Sequence, residues 1–305
     1  MIIILEGIDK CGKSTLAKQL CIKFKATLIK TNAPKTKNAF DEYISIINKL
    51  KHSENYVFDR FYLGEMAYGP TYRKKSTVSE VQQFYLESLL IKFNPVLIYC
   101  WLDYNLLCWN FEREKEESTR FNDVPKLAKL FDGAFNNSTL PKLKYNYSAL
   151  KSFKMVIEKI KEVTRKQKIN PIKFSYAGHL RPDVLFVGDE PNYQLKKRNR
   201  PYGVFNSSSG MFLFKVLSSC KLKFGVINSR EDNKELELSD IKKLKPKQVV
   251  CLGKKAHARV LKKLPTVKAV VHPQFANRFY GKAGLERYKS EIMEASSCTA
   301  TTASV

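Results

Sequence analysis

The sequence predicts an α/β protein of two domains, each a mainly parallel sheet flanked by helices. The chain has 305 residues, about twice the usual length of a single domain. Short apolar runs alternate with helix-length periodic segments, and this alternation occurs twice along the chain. Strands that are separated by helices form parallel βαβ units with right-handed crossovers. A hydrophobic content of 44% with 12% aromatic residues is typical of a globular protein.

The first alternation occupies roughly the first half of the chain. Strands are predicted in the segments MIIILE, ATLIKT, NYVFDRF and PVLIYCWLD. Helices are predicted in KSTLAKQLCIKFK, NAFDEYISIINKLKH, VSEVQQFYLESLLIKF and ALKSFKMVIEKIKEVTRKQK. Because the last helix ends in a basic stretch of low hydrophobicity, we expect a first domain over residues 1–165 and a linker over 166–178.

A second alternation begins at DVLFVGDEP. It continues through GMFLFKVLSSC, KFGVINS, DIKKLKPKQVVCLG, KKAHARVLKKL and VKAVVHPQ, which again predicts an α/β sheet. We expect this second domain to cover residues 179–295. Residues 296–305, with the sequence SSCTATTASV, are small and polar and are predicted to form a disordered tail.

The chain is strongly basic along its whole length. Its formal charge is +25. Residues 181–305 contain 24 basic and 11 acidic residues, so the net charge is +13 there and +12 over residues 1–180. A charge of this size predicts a polyanionic partner. The alternative is a lysine-rich protein from a lysine-rich genome, because lysine outnumbers arginine throughout.

The cysteines and the apolar runs indicate a cytoplasmic protein. The seven cysteines are scattered and contain no CxxC pair, which argues against a disulfide framework or a zinc ribbon. No stretch reaches the roughly 18 apolar residues of a membrane span, and the first residues are too short and uncharged for a signal peptide. We therefore expect no membrane partner. The sequence indicates no oligomeric state.

A glycine-rich segment, GIDKCGKST, follows the first predicted strand. It matches the pattern GxxxxGK[ST], whose backbone amides converge on phosphate oxygens while the lysine reaches the terminal phosphates and a hydroxyl binds Mg²⁺. The pattern predicts ATP and Mg²⁺ as cofactors. The predicted nucleotide-binding residues are Gly7, Ile8, Asp9, Lys10, Cys11, Gly12, Lys13, Ser14 and Thr15.

Several ordered motifs over residues 1–165 resemble the thymidylate kinase family. LEGIDKCGKSTLAKQL is similar to that family's phosphate loop, FEGIDGxGKST, and VFDRFYLGEMAYGPTYR is similar to its third strand, which ends in DRY before an A-Y pair. FNPVLIYCWLD resembles the family's fourth strand, and NFEREKEESTRFN lies where its arginine-bearing lid is expected. The resemblance implies a P-loop nucleoside or nucleotide kinase fold.

The resemblance implies roles for individual residues. Lys13 and Ser14 would bind the ATP phosphates and magnesium, and Asp9 would lie near the transferred group. Asp59 would help to hold magnesium or take a proton, and Arg60 would clamp the acceptor. The lid candidates Arg113 and Arg120 would neutralise developing charge. A surface ion pair at Asp59 and Arg60, and a solvated charged helix at the lid, remain open alternatives.

One segment departs from the family. Thymidylate kinases follow the second strand with an R-E-P-G type segment whose arginine binds the acceptor's monophosphate, whereas this chain has KTNAPKTKNAF. Lys30 could take the place of this arginine, but a lysine cannot form the two parallel hydrogen bonds to a phosphate that an arginine forms. The departure makes free thymidylate a less favoured acceptor. Tyr62, Tyr68 and Tyr72 are candidates for stacking on a base or for core packing.

Fragments in the second half resemble the uracil-DNA glycosylase superfamily in their order. They are DVLFVGDEPNYQ, GVFNSSSGMFL, FGVINS, LKPKQVVCLG and VVHPQFANR. The family has a G-[QE]-[DA]-P turn, a phenylalanine that stacks on a flipped base, an asparagine that binds the uracil edge and an H-P motif. The resemblance therefore implies a uracil-DNA glycosylase-like fold over residues 179–295.

Mapped onto this chain, the resemblance implies a base-binding site. Phe205 would stack on the base, Asn228 would bind its pyrimidine edge and His272 would face its O2 atom. The acid that activates water would be Asp189 or Glu190, since the family's branches differ in its position. A pocket that binds a base without hydrolysing it is an equal alternative.

Together these resemblances suggest an enzyme that acts on DNA. Thymidylate-kinase-like enzymes that phosphorylate 5-hydroxymethyluracil in bacteriophage DNA are known, as an early step toward hypermodified thymines. We expect this activity with duplex DNA as the partner, because it accounts for the charge and for the altered segment after the second strand. The alternatives are a thymidylate kinase with an appended glycosylase, and a second half that is only a DNA-binding adaptor.

Overall fold

The chain divides into two units, Met1–Lys168 and Ile169–Val305. The computed structural model describes residues 1–34, 39–113, 120–149, 152–166, 176–179, 181–189, 208–220, 222–231 and 234–297. Each unit has its own sheet, as the two alternations predict. Most of the predicted linker, residues 167–175, and most of the predicted tail, residues 298–305, lie outside the described part.

The first unit is built on a five-stranded sheet. Its strands are β1 Ile2–Glu6, β2 Thr27–Lys30, β3 Tyr56–Asp59, β4 Pro95–Trp101 and β5 Lys142–Asn146. The order is β2-β3-β1-β4-β5, and every neighbouring pair is parallel. Strand β1 is central and fully buried, so its apolar run forms the middle of the core. Its carboxyl end leads directly into the glycine-rich segment.

Seven helices cover this sheet in the described part of the first unit. They are α1 Lys13–Phe24, α2 Ala39–Asn48, α3 Tyr62–Tyr72, α4 Glu80–Leu90, α5 Tyr104–Arg113, α6 Val124–Asn137 and α7 Ser152–Lys166. Helix α4 begins with a capping box, in which the Ser79 hydroxyl accepts from the Gln82 amide and the Gln82 side chain accepts from the Ser79 amide. Helices α3 and α6 pack together through the Tyr68 and Phe131 rings, whose centroids are 5.6 Å apart.

The second unit also contains a five-stranded sheet. The strands of this sheet are β6 Tyr176–Gly178, β7 Val184–Gly188, β8 Phe224–Asn228, β11 Gln248–Leu252 and β12 Lys268–Val270. Two further strands, β9 Arg230–Glu231 and β10 Lys234–Glu235, form a separate short hairpin. The sheet order is β12-β11-β7-β8-β6. Four strands are parallel, and β6 pairs antiparallel with β8. Strand β6 lies within residues 166–178, the range predicted to be a linker.

The described helices of the second unit are α8 Ser208–Ser219, α9 Leu238–Leu244, α10 Lys254–Leu261, α11 Pro273–Phe279 and α12 Gly284–Ser296. Together with the sheets they confirm a mixed α/β protein with parallel sheets and flanking helices. Among the described residues, no helix is long and apolar enough to cross a membrane. The uracil-DNA glycosylase-like fold and the exact domain boundaries remain predictions.

Candidate functional site

The segment after β1 forms a tight loop whose backbone requires glycine. Gly7 has φ 141°, Lys10 has φ 65° and Gly12 has φ 81°, all in the region that favours glycine. A Cβ on Gly7 would lie 2.1 Å from the carbonyl oxygen of Cys100, and one on Gly12 would lie 2.5 Å from the Tyr147 ring. The loop therefore lies close to its neighbours on both sides, and α1 begins directly after it.

Lys13 is the first residue of α1 and folds back over the loop. Its side chain is 3% exposed, and Nζ donates to the Ile8 carbonyl oxygen at 2.5 Å. The same Nζ is 3.7 Å from Asp9 Oδ1. The ammonium group thus lies inside the loop that the pattern assigns to phosphate binding.

Ser14, in the first turn of α1, and Asp59, at the end of β3, bring two side-chain oxygens together. The Ser14 hydroxyl donates to Asp59 Oδ2 at 2.7 Å, and Asp59 is 6% exposed at the end of β3. Mg²⁺ in phosphate sites is held by one or two protein oxygens together with phosphates and waters. This donor pair fits such an ion. No cluster of three or more His, Cys, Asp or Glu side chains that could hold a metal occurs within the described residues.

Arg60 lies next to Asp59 and reaches the glycine-rich loop. Its guanidinium donates to Asp9 Oδ1, and its backbone has φ 70°, which is unusual outside glycine. Burial opposes its charge, but the carboxylates of Asp9 and Asp59 outweigh this and raise the pKa of the guanidinium. Asp9 therefore bonds to Arg60 and lies near Lys13.

A cavity of about 180 Å³ opens beside this ion pair. Its lining residues are Asp9, Thr31, Asn32, Ala33, Pro34, Tyr43, Arg60, Phe61, Gly64, Glu65, Tyr68, Tyr72 and Arg73. We call it the acceptor cavity. The Tyr68 and Tyr72 rings lie 6.0 Å apart with an interplanar angle of 17°. The Tyr68 hydroxyl accepts from the Asp9 amide at 3.2 Å, so the cavity wall and the loop are directly bonded.

Arg73 is a second cation at the acceptor cavity. It ends the motif VFDRFYLGEMAYGPTYR, but no role was predicted for it. Its guanidinium donates to Glu65, whose side chain is 1% exposed. Glu65 Oε1 also accepts from the amide and hydroxyl of Thr77, at 3.1 and 2.8 Å. Since Glu65 bonds both groups, it holds Arg73 at the rim of the cavity.

The three tyrosines proposed for stacking differ in position. Tyr68 and Tyr72 line the acceptor cavity, whereas Tyr62 is fully buried and its hydroxyl donates to Glu87 at 2.9 Å. Stacking by Tyr62 is therefore excluded, because core packing encloses its ring.

The two lid arginines lie on either side of residues 114–119, which are outside the described part. Arg113 is exposed at the end of α5, with its guanidinium carbon 4.7 Å from the Trp109 ring centroid. Arg120 is also exposed, and its amide donates to the Tyr72 hydroxyl at 3.2 Å. The Arg120 backbone thus adjoins the cavity wall, while neither guanidinium is among the described lining residues.

Glu6 is a fully buried acid at the end of β1 that sequence reasoning also missed. Its Oε1 accepts from the amides of Phe61 and Leu63, at 2.9 and 3.0 Å. Burial raises its pKa to about 7, although both backbone bonds and the nearby charges of Lys13 and Arg60 favour ionisation. Glu6 belongs to the LEGID stretch of the phosphate-loop motif, but its bonding partners lie more than 50 residues away and give no local signal.

The second unit has a larger cavity, of about 380 Å³, which contains two predicted base-binding residues, Asp189 and His272. The two are close enough to interact: burial lowers the pKa of His272, and the charge of Asp189 partly opposes this. The carboxylate of Asp189 also accepts from Arg259, which the sequence did not single out. The remaining described lining residues are Leu252, Gly253, Lys254, Lys255, Gln274, Phe275, Arg278 and Phe279.

The other predicted base-binding residues are not brought to this cavity in the described part. Asn228 ends β8 directly opposite Gly188 and is 6% exposed, but it is not a lining residue there. Glu190 and Phe205 lie outside the described residues. The structure thus brings Asp189 and His272 together and leaves the complete base site a prediction.

Comparisons with known proteins include several that match about half of the chain. No family model matches. The SPbeta prophage-derived protein YorR of Bacillus subtilis (strain 168) is 26% identical over 140 residues, covering 46% of this chain and 84% of YorR. Its crystal structure, in complex with phosphorylated GDP, is 20% identical and covers 53% of this chain and 96% of that one, with a TM-score of 0.46.

Two further solved structures are kinases of nucleosides or nucleotides. Deoxyadenosine kinase from M. mycoides with bound dCTP is 15% identical, covers 53% of this chain and 100% of that one, and has a TM-score of 0.38. Thymidylate kinase from Candida albicans is 16% identical, covers 55% and 93%, and has a TM-score of 0.36. These structural neighbours span about half of this chain.

Proposed function

We propose that the chain is an ATP- and Mg²⁺-dependent kinase that phosphorylates a hydroxyl group of a nucleoside-type acceptor. The observation that carries this proposal is the Asp9–Arg60 pair, because it belongs to the glycine-rich loop and to the wall of the acceptor cavity at once. A donor phosphate on the loop and a hydroxyl in the cavity would therefore meet at these two side chains. Positioning and charge stabilisation are the main demands of phosphoryl transfer.

The reaction divides among the residues of the site. The acceptor oxygen attacks the γ-phosphorus, the bond to the β–γ bridging oxygen breaks, and ADP leaves with that bond's electron pair. Ser14 and Asp59 would hold Mg²⁺, which would neutralise charge on the phosphates. Asp9 faces the cavity and takes the acceptor proton. Lys13 and Arg60 stabilise the charge on the transferred group.

For the acceptor we propose 5-hydroxymethyluracil in DNA. The described charges that line the cavity are balanced, with Asp9 and Glu65 opposite Arg60 and Arg73. Such balance suits a neutral hydroxymethylated base. The net charge of +25 is spread over both halves of the sequence, which supports DNA as the molecule that carries the base.

A second candidate acceptor is a free deoxynucleoside monophosphate such as thymidylate. Arg73 favours it, because a second guanidinium at the cavity could bind a phosphate through two parallel hydrogen bonds, which no lysine of the altered KTNAPKTKN segment can form. In this alternative, the phosphate would replace Glu65 as the partner of Arg73.

For the second unit we propose a base-binding role on DNA. Asp189 and His272 share its larger cavity, and this supports either an active glycosylase or a site that only holds a base. The bond between Asp189 and Arg259 gives this carboxylate a structural partner in the second unit, which agrees with the holding role.

The deciding experiment supplies γ-labelled ATP with three acceptors: thymidylate, duplex DNA containing 5-hydroxymethyluracil, and the same duplex with thymine. We expect label only in the modified duplex. Label in thymidylate alone would show that the acceptor is the free nucleotide and not DNA. The absence of label from all three acceptors would contradict the kinase function. Counting abasic sites in uracil-containing DNA, where we expect none, tests the holding role of the second unit.

A further inference from the structure

Glu6 and its neighbour Leu5 hold the backbone on both sides of Arg60. The Arg60 amide donates to the Leu5 carbonyl oxygen at 3.0 Å. Immediately after Arg60, the amides of Phe61 and Leu63 both donate to Glu6 Oε1. The carboxylate is fully buried, so these bonds are shielded from water and are costly to lose.

Arg60 needs such support because its backbone is strained. A non-glycine residue with φ 70° persists only where the surrounding structure fixes it. Its direction matters, because the guanidinium must reach Asp9 while Asp59, one residue earlier, bonds to Ser14. Two adjacent residues thus point to different parts of one site.

We propose that Glu6 is a positioning residue: its carboxylate fixes the left-handed backbone at Arg60 and thereby directs the guanidinium toward Asp9 and the acceptor cavity. For its effect on catalysis, this inference rests on the kinase function proposed above. Glu6 acts through Arg60 and does not itself line the acceptor cavity in the described structure.

Glu87 provides a matched control. It is also a fully buried acid of the first unit. It accepts from the Tyr62 hydroxyl at 2.9 Å and from the Thr139 amide at 2.6 Å. These bonds connect α3 and α4 to the segment before β5. A Glu87 variant therefore loses comparable buried hydrogen bonds without releasing Arg60.

The kinetic test is a double-mutant cycle measured with duplex DNA containing 5-hydroxymethyluracil and with thymidylate. We expect Glu6→Leu to lower kcat/KM for the accepted substrate by about tenfold or more, the loss typical of two buried hydrogen bonds. Adding Arg60→Ala to Glu6→Leu should cost little more, since Glu6 acts through Arg60. Glu87→Leu and Arg60→Ala should instead have independent effects. Glu6→Gln, which keeps an acceptor oxygen, should restore most of the rate.

A second measurement needs neither an acceptor nor turnover. In ¹⁵N-labelled protein, the Arg60 Nε–Hε resonance should shift in Glu6→Leu and keep its position in Glu6→Gln and Glu87→Leu. If Glu6→Leu does not fold, Glu6→Asp serves, because its shorter side chain cannot reach both amides. An unchanged Arg60 resonance, or additive effects in the Glu6–Arg60 cycle, would overturn the inference. A wild-type protein that phosphorylates none of the acceptors would contradict the proposed function alone.

Discussion

Asp9 shows how one residue can serve two binding sites. Its carboxylate accepts from Arg60, its amide donates to Tyr68, and Lys13 Nζ is 3.7 Å away. In the proposed mechanism, donor and acceptor residues therefore meet in the loop after β1. Any change at Asp9 should affect both substrates, whereas a change at Tyr72 concerns the acceptor side.

Replacing Lys13 should remove phosphoryl transfer activity while the protein remains folded. Lys13→Ala should abolish phosphoryl transfer, because the terminal phosphates lose their ammonium partner. Transfer from γ-labelled ATP measures this. Lys18→Ala, on the exposed side of the same helix, is the control and should keep full activity. A Lys13→Ala protein that retains most of its rate would contradict the mechanism.

The raised pKa of Glu6 makes stability depend on pH. The unfolded carboxyl titrates near its usual 4.5, and the folded one near 7. The native state therefore binds more protons between these values, and the contribution of Glu6 to the free energy of unfolding falls as pH rises through this window. Glu6→Gln removes this pH dependence. The free energy of unfolding of the variant minus that of the wild type should therefore rise by roughly 3 kcal/mol from pH 4 to pH 8. Urea unfolding at four pH values measures the difference, and parallel curves would contradict the expectation.

The residues of the glycine-rich loop could be predicted, because the whole pattern lies in nine consecutive positions. Arg73 and Glu6 could not. Glu6 bonds to amides 55 and 57 residues later, and Arg73 reaches the cavity only because Glu65 holds it there. Contacts of this kind depend on the tertiary arrangement of helices and strands. The hydrophobic periodicity of the sequence does not specify that arrangement.

Among the elements, several with a clear period were predicted, but α6 was missed although its buried residues Leu127, Phe131 and Ala134 follow a helical spacing. The apolar run of β1 and the amphipathic pattern of α2 and α4 led to correct assignments. Helix α3 was not predicted, because it contains Gly64, Gly69 and Pro70, which weaken a helical pattern. Strand β6 was missed because three residues are too few to show alternation.

The capping box of α4 should contribute measurably to the first unit's stability. Ser79→Ala removes the hydroxyl that accepts from the Gln82 amide and should cost about 1 kcal/mol. The midpoint of urea unfolding measures this. Ser88→Ala, which removes only a bond to the Tyr85 carbonyl within the helix, is the control and should cost less than about 0.5 kcal/mol. If both substitutions lowered the free energy of unfolding equally, the capping box would make no stabilising contribution of its own.

For the whole molecule, the distribution of charge is the property that its fold does not explain. A net charge of +25 exceeds what solubility requires. Each half carries about half of it, so neither unit alone accounts for the excess. The polyanionic partner that we propose is consistent with this distribution.

If the partner is DNA, affinity should fall steeply with salt. Each phosphate that the protein neutralises releases counterions, so six or more contacts should reduce affinity by about a thousandfold between 50 and 200 mM salt. Fluorescence anisotropy with a labelled duplex measures the slope. A peptide nucleic acid duplex of the same sequence, which lacks phosphates, is the control and should bind weakly at every concentration. Affinity that is insensitive to salt would argue against DNA.

The bond between the Tyr68 hydroxyl and the Asp9 amide has a thermodynamic consequence for the affinities of the two proposed substrates. The Tyr68 ring lines the acceptor cavity, so an acceptor that restricts this ring also restricts the glycine-rich loop. Linkage is reciprocal: if the acceptor raises the affinity for ATP by some factor, ATP raises the affinity for the acceptor by the same factor. In the proposed kinase, one tyrosine hydroxyl would thus couple the two substrates before any chemistry begins.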